Sequence, residues 1–141
     1  MTEHKTKARL YVAGDLEKDG AVSLAADQTH YLSRVMRLGV GDGVTLFNGR
    51  HGEWRAVIES VARNSCTLTL GQKVRAQSTE PDLWLTFAPL KKSRTDFLVE
   101  KATELGVARL TAVFTEHSDT RRVNTARLGQ IATEAAEQCE R

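Results

Sequence analysis

Cysteine is scarce in this sequence: only Cys66 and Cys139 occur in 141 residues. Two cysteines are too few for the disulfide framework of a small secreted domain, and these two lie too far apart for a metal knuckle. Both read as reduced packing residues, and no metal is expected. Long apolar runs are missing as well. None approaches the roughly 20 residues that span a bilayer, and Met1-Thr-Glu-His-Lys5 has no apolar core of a signal peptide. The expected location is therefore the cytoplasm, with no membrane partner. Also missing are the phosphate-cradling Gly-x-x-x-x-Gly-Lys, the zinc-binding His-Glu-x-x-His and the Gly-x-Ser-x-Gly elbow, which removes the enzyme classes built on them. Gly39-Val-Gly41-Asp-Gly43 resembles a nucleotide fingerprint only superficially, because it follows a helical pattern and opens no helix, so it reads as a turn. Neither sign of charge dominates, and the net charge is only +2.

The distribution of that charge is more informative than its sum. Residues 1–78 hold 11 Lys and Arg against 8 Asp and Glu, whereas residues 79–141 hold 9 against 10. The first half is the basic one, although a mixed, solvated surface explains so small an excess equally well. Its pattern is mainly of strands. Arg9-Leu-Tyr-Val12 follows a polar tail expected to be mobile, and Ala21–Ala25 follows the turn signal Lys18-Asp-Gly20. Asp27 is placed to cap a helix running to Leu38, with Tyr31, Leu32, Val35 and Met36 at helical spacing and Gly39 at its end. From Gly43 the period becomes two. Val44–Phe47, the turn Asn48–Gly52, Glu53–Val61 and Cys66–Leu70 read as a meander, with Gln72–Val74 as one further strand. Trp54, Ala56 and Ile58 point one way while Arg55, Val57 and Glu59 point the other, as in a strand crossing a small barrel.

Ala76-Gln-Ser-Thr-Glu-Pro-Asp82 marks a boundary, so residues 1–78 and 79–141 are expected to be separate domains. The organising stretch of the second is Lys91-Lys-Ser-Arg-Thr-Asp-Phe-Leu-Val-Glu-Lys-Ala-Thr-Glu-Leu-Gly106. Ser93 or Thr95 is placed to cap a helix, Phe97, Leu98, Ala102 and Leu105 gather on one side, and Gly106 supplies a left-handed terminus. Apolar runs at Leu83–Ala88 and Leu110–Phe114 flank it, giving a strand, helix, strand unit of parallel type. Asn124 or Thr125 caps a last helix whose stripe is Leu128, Ile131, Ala132, Ala135, Ala136 and Cys139.

The chemistry-bearing residues are mostly cations. His30, Arg34 and Arg37 recur at spacings of three and four, which puts them on one helix face, and Arg50, His51 and Arg55 fall in the following hairpin. Arg offers fixed donors to phosphate, and His stacks or donates beside a sugar, so this set is a candidate RNA surface; a solvated helix face is the other reading. Lys91, Lys92 and Arg94 gather at the amino end of a helix, where cations oppose the dipole, so an anionic partner such as phosphate would explain them. Glu116 and His117 occupy a loop after a parallel strand, where α/β proteins place ligands, but a lone His there is more often simply exposed. Glu100, Lys101 and Glu104 have the spacing of ordinary helix ion pairs. No catalytic residue is assigned.

Lys101-Ala-Thr-Glu-Leu-Gly-Val107 followed by Glu134-Ala-Ala-Glu-Gln-Cys139 resembles the small-subunit ribosomal RNA 3-methyluridine methyltransferase family. So do His30-Tyr-Leu-Ser-Arg-Val-Met-Arg37, Gly41-Asp42 and Leu46-Phe-Asn-Gly49, so the resemblance covers nearly the whole chain. It implies an α+β / α/β architecture, a PUA-like β-barrel for RNA followed by the first βαβα part of a SPOUT-type α/β knotted domain. It also implies S-adenosylmethionine as cofactor, ribosomal RNA of the small subunit as partner, a homodimer at full length, and methyl transfer to N3 of a uridine. Such transfer requires a deprotonated uridine held in line with a sulfonium methyl, a matter of positioning and electrostatics. In that family the cofactor-binding knot lies beyond the position of Arg141, so these residues are expected to be a truncated portion, inactive alone. A non-enzymatic RNA-binding module is the alternative, and a small-molecule-binding α/β fragment a third reading.

Overall fold

The computed structural model describes residues 6–141, so the tail expected to be mobile lies, for residues 1–5, outside the described residues. The chain forms two compact units, Met1–Ser78 and Thr79–Arg141.

The first unit is built on five strands: β1 (Arg9–Tyr11), β2 (Ala21–Leu24), β3 (Gly43–Phe47), β4 (Glu53–Val61) and β5 (Cys66–Arg75). They lie in the order β1-β3-β4-β5-β2. The β1–β3 pair is parallel and the others are antiparallel. Alternation sets the inner face: Trp54, Ala56 and Ile58 of β4 are buried while Glu53, Arg55, Val57 and Glu59 are not. Leu10 from one edge strand and Val22 and Leu24 from the other join a single cluster with Leu32, Val44, Leu46, Ile58, Leu68 and Leu70. A sheet whose two edges feed one core wraps round it as a small barrel, left open between β1 and β2. Full burial of Leu46, Ile58, Leu68 and Leu70 contributes about 1.5–3 kcal/mol each relative to exposure. The stretch expected as two strands is one, β5, kept continuous by irregular register between Trp54↔Lys73 and Ala56↔Leu70. Gly39–Gly43 is a turn, in which Asp42 N donates to Gly39 O at 3.1 Å and the Asp42 carboxylate accepts from Gly39 N at 2.9 Å.

The helix of this unit departs from its sequence pattern. α1 spans only Ala26–His30, and Tyr31–Val35 continues it as a π-helical turn. Met36 N reaches Tyr31 O at 3.0 Å, and the Ser33 hydroxyl bonds back to Thr29 O at 2.8 Å. The cap position is Ala25, with no side-chain cap, because Asp27 already lies inside the first turn, where its charge favours the dipole. The left-handed residue past the helix is Arg37, at φ 55°, and not Gly39.

In the second unit β6 (Trp84–Phe87) and β7 (Arg109–Ala112) form a parallel pair joined through α2 (Lys92–Glu104), and α3 (Thr125–Gln138) packs on α2. Gly106 ends α2 at φ +91°, with Val107 N bonded to Ala102 O and Gly106 N to Thr103 O, a Schellman closure. The start of α2 has no side-chain cap at Lys91. Ser93 makes none, and the Thr95 hydroxyl is turned back on Leu90, accepting from its N–H at 3.0 Å and donating to its carbonyl at 3.1 Å. The buried face of α2 is Thr95, Val99, Ala102 and Thr103, so of the expected apolar set only Ala102 is inside; Phe97 and Leu105 are 60% and 82% exposed. On α3, Asn124 does cap, its side-chain oxygen accepting from Arg127 N at 3.1 Å. Ala135 alone of the α3 stripe is fully buried. Cys66 is packed in the barrel core, and burial raises its thiol pKa, but Cys139 is exposed and is no packing residue.

Candidate nucleic-acid interface

Within the first unit the expected RNA-contacting residues come from the helical segment, the Asn48–Gly52 hairpin and β4. Gln28, near the start of α1, donates to Tyr11 O at 2.7 Å, and Tyr11 pairs with Phe47 next to the Asn48–Gly52 hairpin. Past the helical segment, Gly41 N donates to Ile58 O at 2.8 Å. Ile58 lies about 17 Å along β4 from Glu53 at ~3.4 Å per residue. The hairpin and Arg50 are therefore beside the beginning of the helical segment, and Arg37 is beside its far end. His30, Arg34 and Arg37 are all exposed. The π-turn at Tyr31–Val35 keeps residues four apart, such as His30 and Arg34, on one side of the segment, whereas Arg37 stands past the helix in the left-handed region.

The hairpin cations are held by their own unit. Arg50 donates to Ala13 O at 3.1 Å and to the Asp15 carboxylate at 3.0 Å. His51 Nδ1 accepts from Leu16 N at 3.1 Å and sits 2.9 Å from the Asn48 amide nitrogen, so its role is to pin the hairpin to the 13–16 loop. Arg55 faces outward from β4 opposite Thr45, with its Nε buried and without a hydrogen-bond partner among the described residues. Exposed apolar groups accompany the cations of the helical segment: Tyr31, Val35 and Val40 are 39%, 63% and 69% exposed. Interleaved cations and apolar surface suit a sugar-phosphate backbone with unstacked bases.

In the second unit the basic trio splits between two concavities. Lys91 and Lys92 line a cation-rich cleft of about 360 Å³ with Thr120, Arg122, Asn124, the pair Asp96–Arg127 and the apolar Leu90, Val123 and Leu128. Arg127 engages both carboxylate oxygens of Asp96. That bidentate hydrogen bonding holds the Asp96 carboxyl below its ordinary pKa and raises that of Arg127. Arg94 instead lines an apolar groove of about 710 Å³ with Leu83, Leu85, Phe97, Leu98 and Leu105. Arg122 was not singled out by sequence; the signal available was its position in the polar loop after β7, where attention falls first on Glu116 and His117. Both of those are exposed, and neither lines the cleft. Lys101 reaches the Glu104 carboxylate at 3.1 Å, which raises its pKa, in keeping with a structural ion pair.

Neither concavity fits S-adenosylmethionine. The first cleft gathers cations that repel a sulfonium, and its one carboxylate is consumed by Arg127. The apolar groove presents no carboxylate to a ribose diol, and its charged groups, Arg94 and Lys101, are again cations. Among the described residues no cluster of His, Cys, Asp and Glu is placed to hold a metal ion, and no helix is long and apolar enough to cross a membrane.

A wrapped five-stranded barrel followed by a parallel strand, helix, strand, helix unit is the fold of the SPOUT-type RNA methyltransferases with a PUA-like amino-terminal domain. Residues 24–71 match the RNA methyltransferase PUA domain family and residues 78–141 the RNA methyltransferase domain family. The chain is similar to the ribosomal RNA small subunit methyltransferase E of Rickettsia conorii, 34% identical over 134 residues, covering 94% of this chain and 55% of that protein. It is also similar to the protein of the same name from Synechocystis, 35% identical over 136 residues, 94% of this chain and 44% of the other. The chain thus spans about half the length of these relatives. Among solved structures, a Legionella pneumophila protein holding the cofactor SAM superimposes with a TM-score of 0.85 at 26% identity, over 97% of this chain and 59% of the other. A Neisseria gonorrhoeae ribosomal RNA small subunit methyltransferase E, solved with S-adenosyl methionine, shares the fold at a TM-score of 0.83 and 24% identity, over 95% and 57%.

Proposed function

We propose that this chain serves S-adenosylmethionine-dependent methylation of uridine N3 in small-subunit ribosomal RNA, with the barrel gripping the RNA and residues 79–141 forming the first part of the methyltransferase domain. The observation that carries the reading is the order of the two matched domains, an RNA methyltransferase PUA domain and then an RNA methyltransferase domain, on a fold with the same two parts. On this reading residues 1–78 are the PUA-like RNA-binding domain, and the cofactor is held by a knot that residues 79–141 do not contain. His30, Arg34, Arg37, Arg50, Arg55, Lys91 and Lys92 are the proposed RNA contacts, Arg94 being left out of the set because it lines the separate apolar groove, and the working enzyme is a cytoplasmic homodimer.

The test is genetic and chemical. Disrupting the gene that encodes this chain removes 3-methyluridine from the small-subunit ribosomal RNA, read by mass spectrometry of its nucleosides, and an unchanged 3-methyluridine content overturns the enzymatic reading. A second reading, a non-enzymatic RNA-binding module, is supported by the poor fit of both clefts to the cofactor. It predicts unchanged 3-methyluridine together with retained RNA binding by residues 1–141. The surface itself is tested by replacing Arg34 and Arg37 together with Ala: affinity for a small-subunit ribosomal RNA fragment falls and its dependence on salt flattens, since phosphate contacts release counterions.

A further inference from the structure

The cation-rich cleft of the second unit joins two loops that follow parallel strands: Lys91 lies in the segment after β6, and Thr120 and Arg122 in the segment after β7. Carboxyl ends of neighbouring parallel strands are where open α/β sheets bind ligands. The charge in the cleft is one-sided. Its only carboxylate, Asp96, is engaged on both oxygens by Arg127, so that pair is internally neutral and Lys91, Lys92 and Arg122 remain as net positive charge. None of these three side chains makes a salt bridge or side-chain hydrogen bond among the described residues, although Lys92 lies near enough to Asp96 to help lower its pKa. The Thr120 hydroxyl is spent on its own loop, donating to Arg122 O at 3.0 Å and accepting from Arg122 N at 3.3 Å, which fixes the backbone that carries the Arg122 guanidinium. A cavity of about 360 Å³ has room for a phosphodiester with its flanking sugar atoms.

We infer that this cleft is a phosphate subsite for the RNA backbone, formed by Lys91, Lys92 and Arg122, and that Arg94, turned into the apolar groove, takes no part in it. The inference rests on the RNA reading above and narrows it, since it separates two cations that sequence places side by side from a third only two positions further on. The Asp96–Arg127 pair is the positioning element: it fixes the helices on which the cleft is framed while contributing no net charge to it.

The experiment measures binding of a fluorescent single-stranded 12-nucleotide oligouridine to residues 1–141 across a salt series. Lys92→Ala with Arg122→Ala weakens binding about tenfold and lowers the slope of log K against log salt by about 0.7 or more, the value for one phosphate contact on a single strand. Arg94→Ala stays within twofold with an unchanged slope, and circular dichroism of all variants matches the parent. Equal losses in the Arg94 variant and the double variant would mean that binding follows net charge alone, and the subsite is overturned. No loss in the double variant overturns it too, whereas the gene-disruption result for 3-methyluridine stands or falls independently. Inorganic phosphate is the second probe: saturable binding to the parent at sub-millimolar concentration, with oligouridine binding unaffected by the double substitution, assigns the cleft to a free phosphate and not to RNA.

Discussion

The Arg127 guanidinium closes on both carboxylate oxygens of Asp96, tying the first turn of α3 to the early part of α2. This one contact fixes the pair of helices that frames the cation-rich cleft, and it has a pH signature. Hydrogen bonding from Arg127 lowers the Asp96 pKa in the folded chain, so the folded state binds this proton less readily than the unfolded one. The stabilisation is present above the unfolded carboxyl value near 3.9 and is lost as pH falls through the lower folded value. Asp96→Asn therefore melts below the parent at pH 6, and the gap between the two closes in the acid range below about pH 4. Thermal melts of both proteins from pH 2 to 6 check this, and a gap that stays constant across the range counts against the pair as the cause.

Asn48 is a hairpin keystone despite lying in a turn. It is only 4% exposed; its side-chain oxygen accepts from Arg50 N at 2.9 Å and His51 N at 2.8 Å, and its amide donates to Gly14 O at 2.9 Å. Removing three part-buried hydrogen bonds at a net of about 0.5–1.5 kcal/mol each predicts that Asn48→Ala destabilises the first unit by roughly 2–4 kcal/mol. Urea unfolding followed by Trp54 fluorescence measures the loss, and a change below about 0.5 kcal/mol would remove Asn48 from this role.

Two glycines of the same hairpin separate conformational from steric cost. Gly49 is at φ +75° with open space where a Cβ would stand, whereas Gly52, at φ +84°, would place a Cβ 2.3 Å from Arg75 O. Gly49→Ala should cost about 1–2 kcal/mol, the penalty of the left-handed region. Gly52→Ala adds overpacking of roughly 1–3 kcal/mol and must also displace the end of β5. Equal destabilisation of the two variants in urea would show that the close approach to Arg75 does not matter.

The sequence exposed the strands, the start of α3 and the end of α2 because each is a local signal: alternation along Glu53–Val61, Asn124 before α3, Gly106 after α2. Local period was a poorer guide where tertiary context sets the geometry. A helical wheel treats Tyr31–Met36 as ordinary α-helix, whereas Tyr31–Val35 is a π-turn and the chain leaves the helix at the left-handed Arg37. Phe97 and Leu105 looked inward because they are apolar, yet the face of α2 that packs is the one with Thr95, Val99 and Thr103. The Thr95 and Thr103 hydroxyls satisfy themselves on Leu90 and on Val99 O, so they can be buried at little polar cost. The gathering of Arg122 and Lys92 about one cleft was invisible, since they stand 30 positions apart in the chain.

S-adenosylmethionine is expected not to bind residues 1–141 with micromolar affinity. Both clefts present cations where the ligand carries a sulfonium, and neither keeps a carboxylate free for ribose hydroxyls. Isothermal titration with the chain near 50 µM, a working concentration of about that order for micromolar affinities, should give only dilution heats. Saturable heat with a micromolar constant would overturn the assignment of the cofactor site to a part of the fold outside these residues.

The last expectation concerns unequal stability of the two units. The barrel buries a continuous core with several residues at or below 1% exposure, including Leu32, Val44, Leu46, Ile58 and Leu68. The second unit has one parallel pair of strands, each with a buriable residue left half covered, and its large apolar side chains Leu83, Trp84, Phe97 and Leu105 are 55%, 58%, 60% and 82% exposed. Parallel sheets are normally covered on both faces, and a two-stranded sheet is marginal by itself. Amides of β3, β4 and β5 should therefore exchange with solvent at rates set by global unfolding, and those of β6 and β7 through smaller openings at least ~100-fold more often, equivalent to roughly 2.7 kcal/mol. Apolar dye should bind the intact chain, and Phe97→Ser with Leu105→Ser should reduce that binding without altering exchange in the barrel. Hydrogen exchange read by mass spectrometry at low micromolar concentration decides it. Concentration-dependent slowing confined to residues 82–141 would show two copies covering the apolar face for one another, and uniformly slow exchange in a monomer would show that the second unit is self-sufficient.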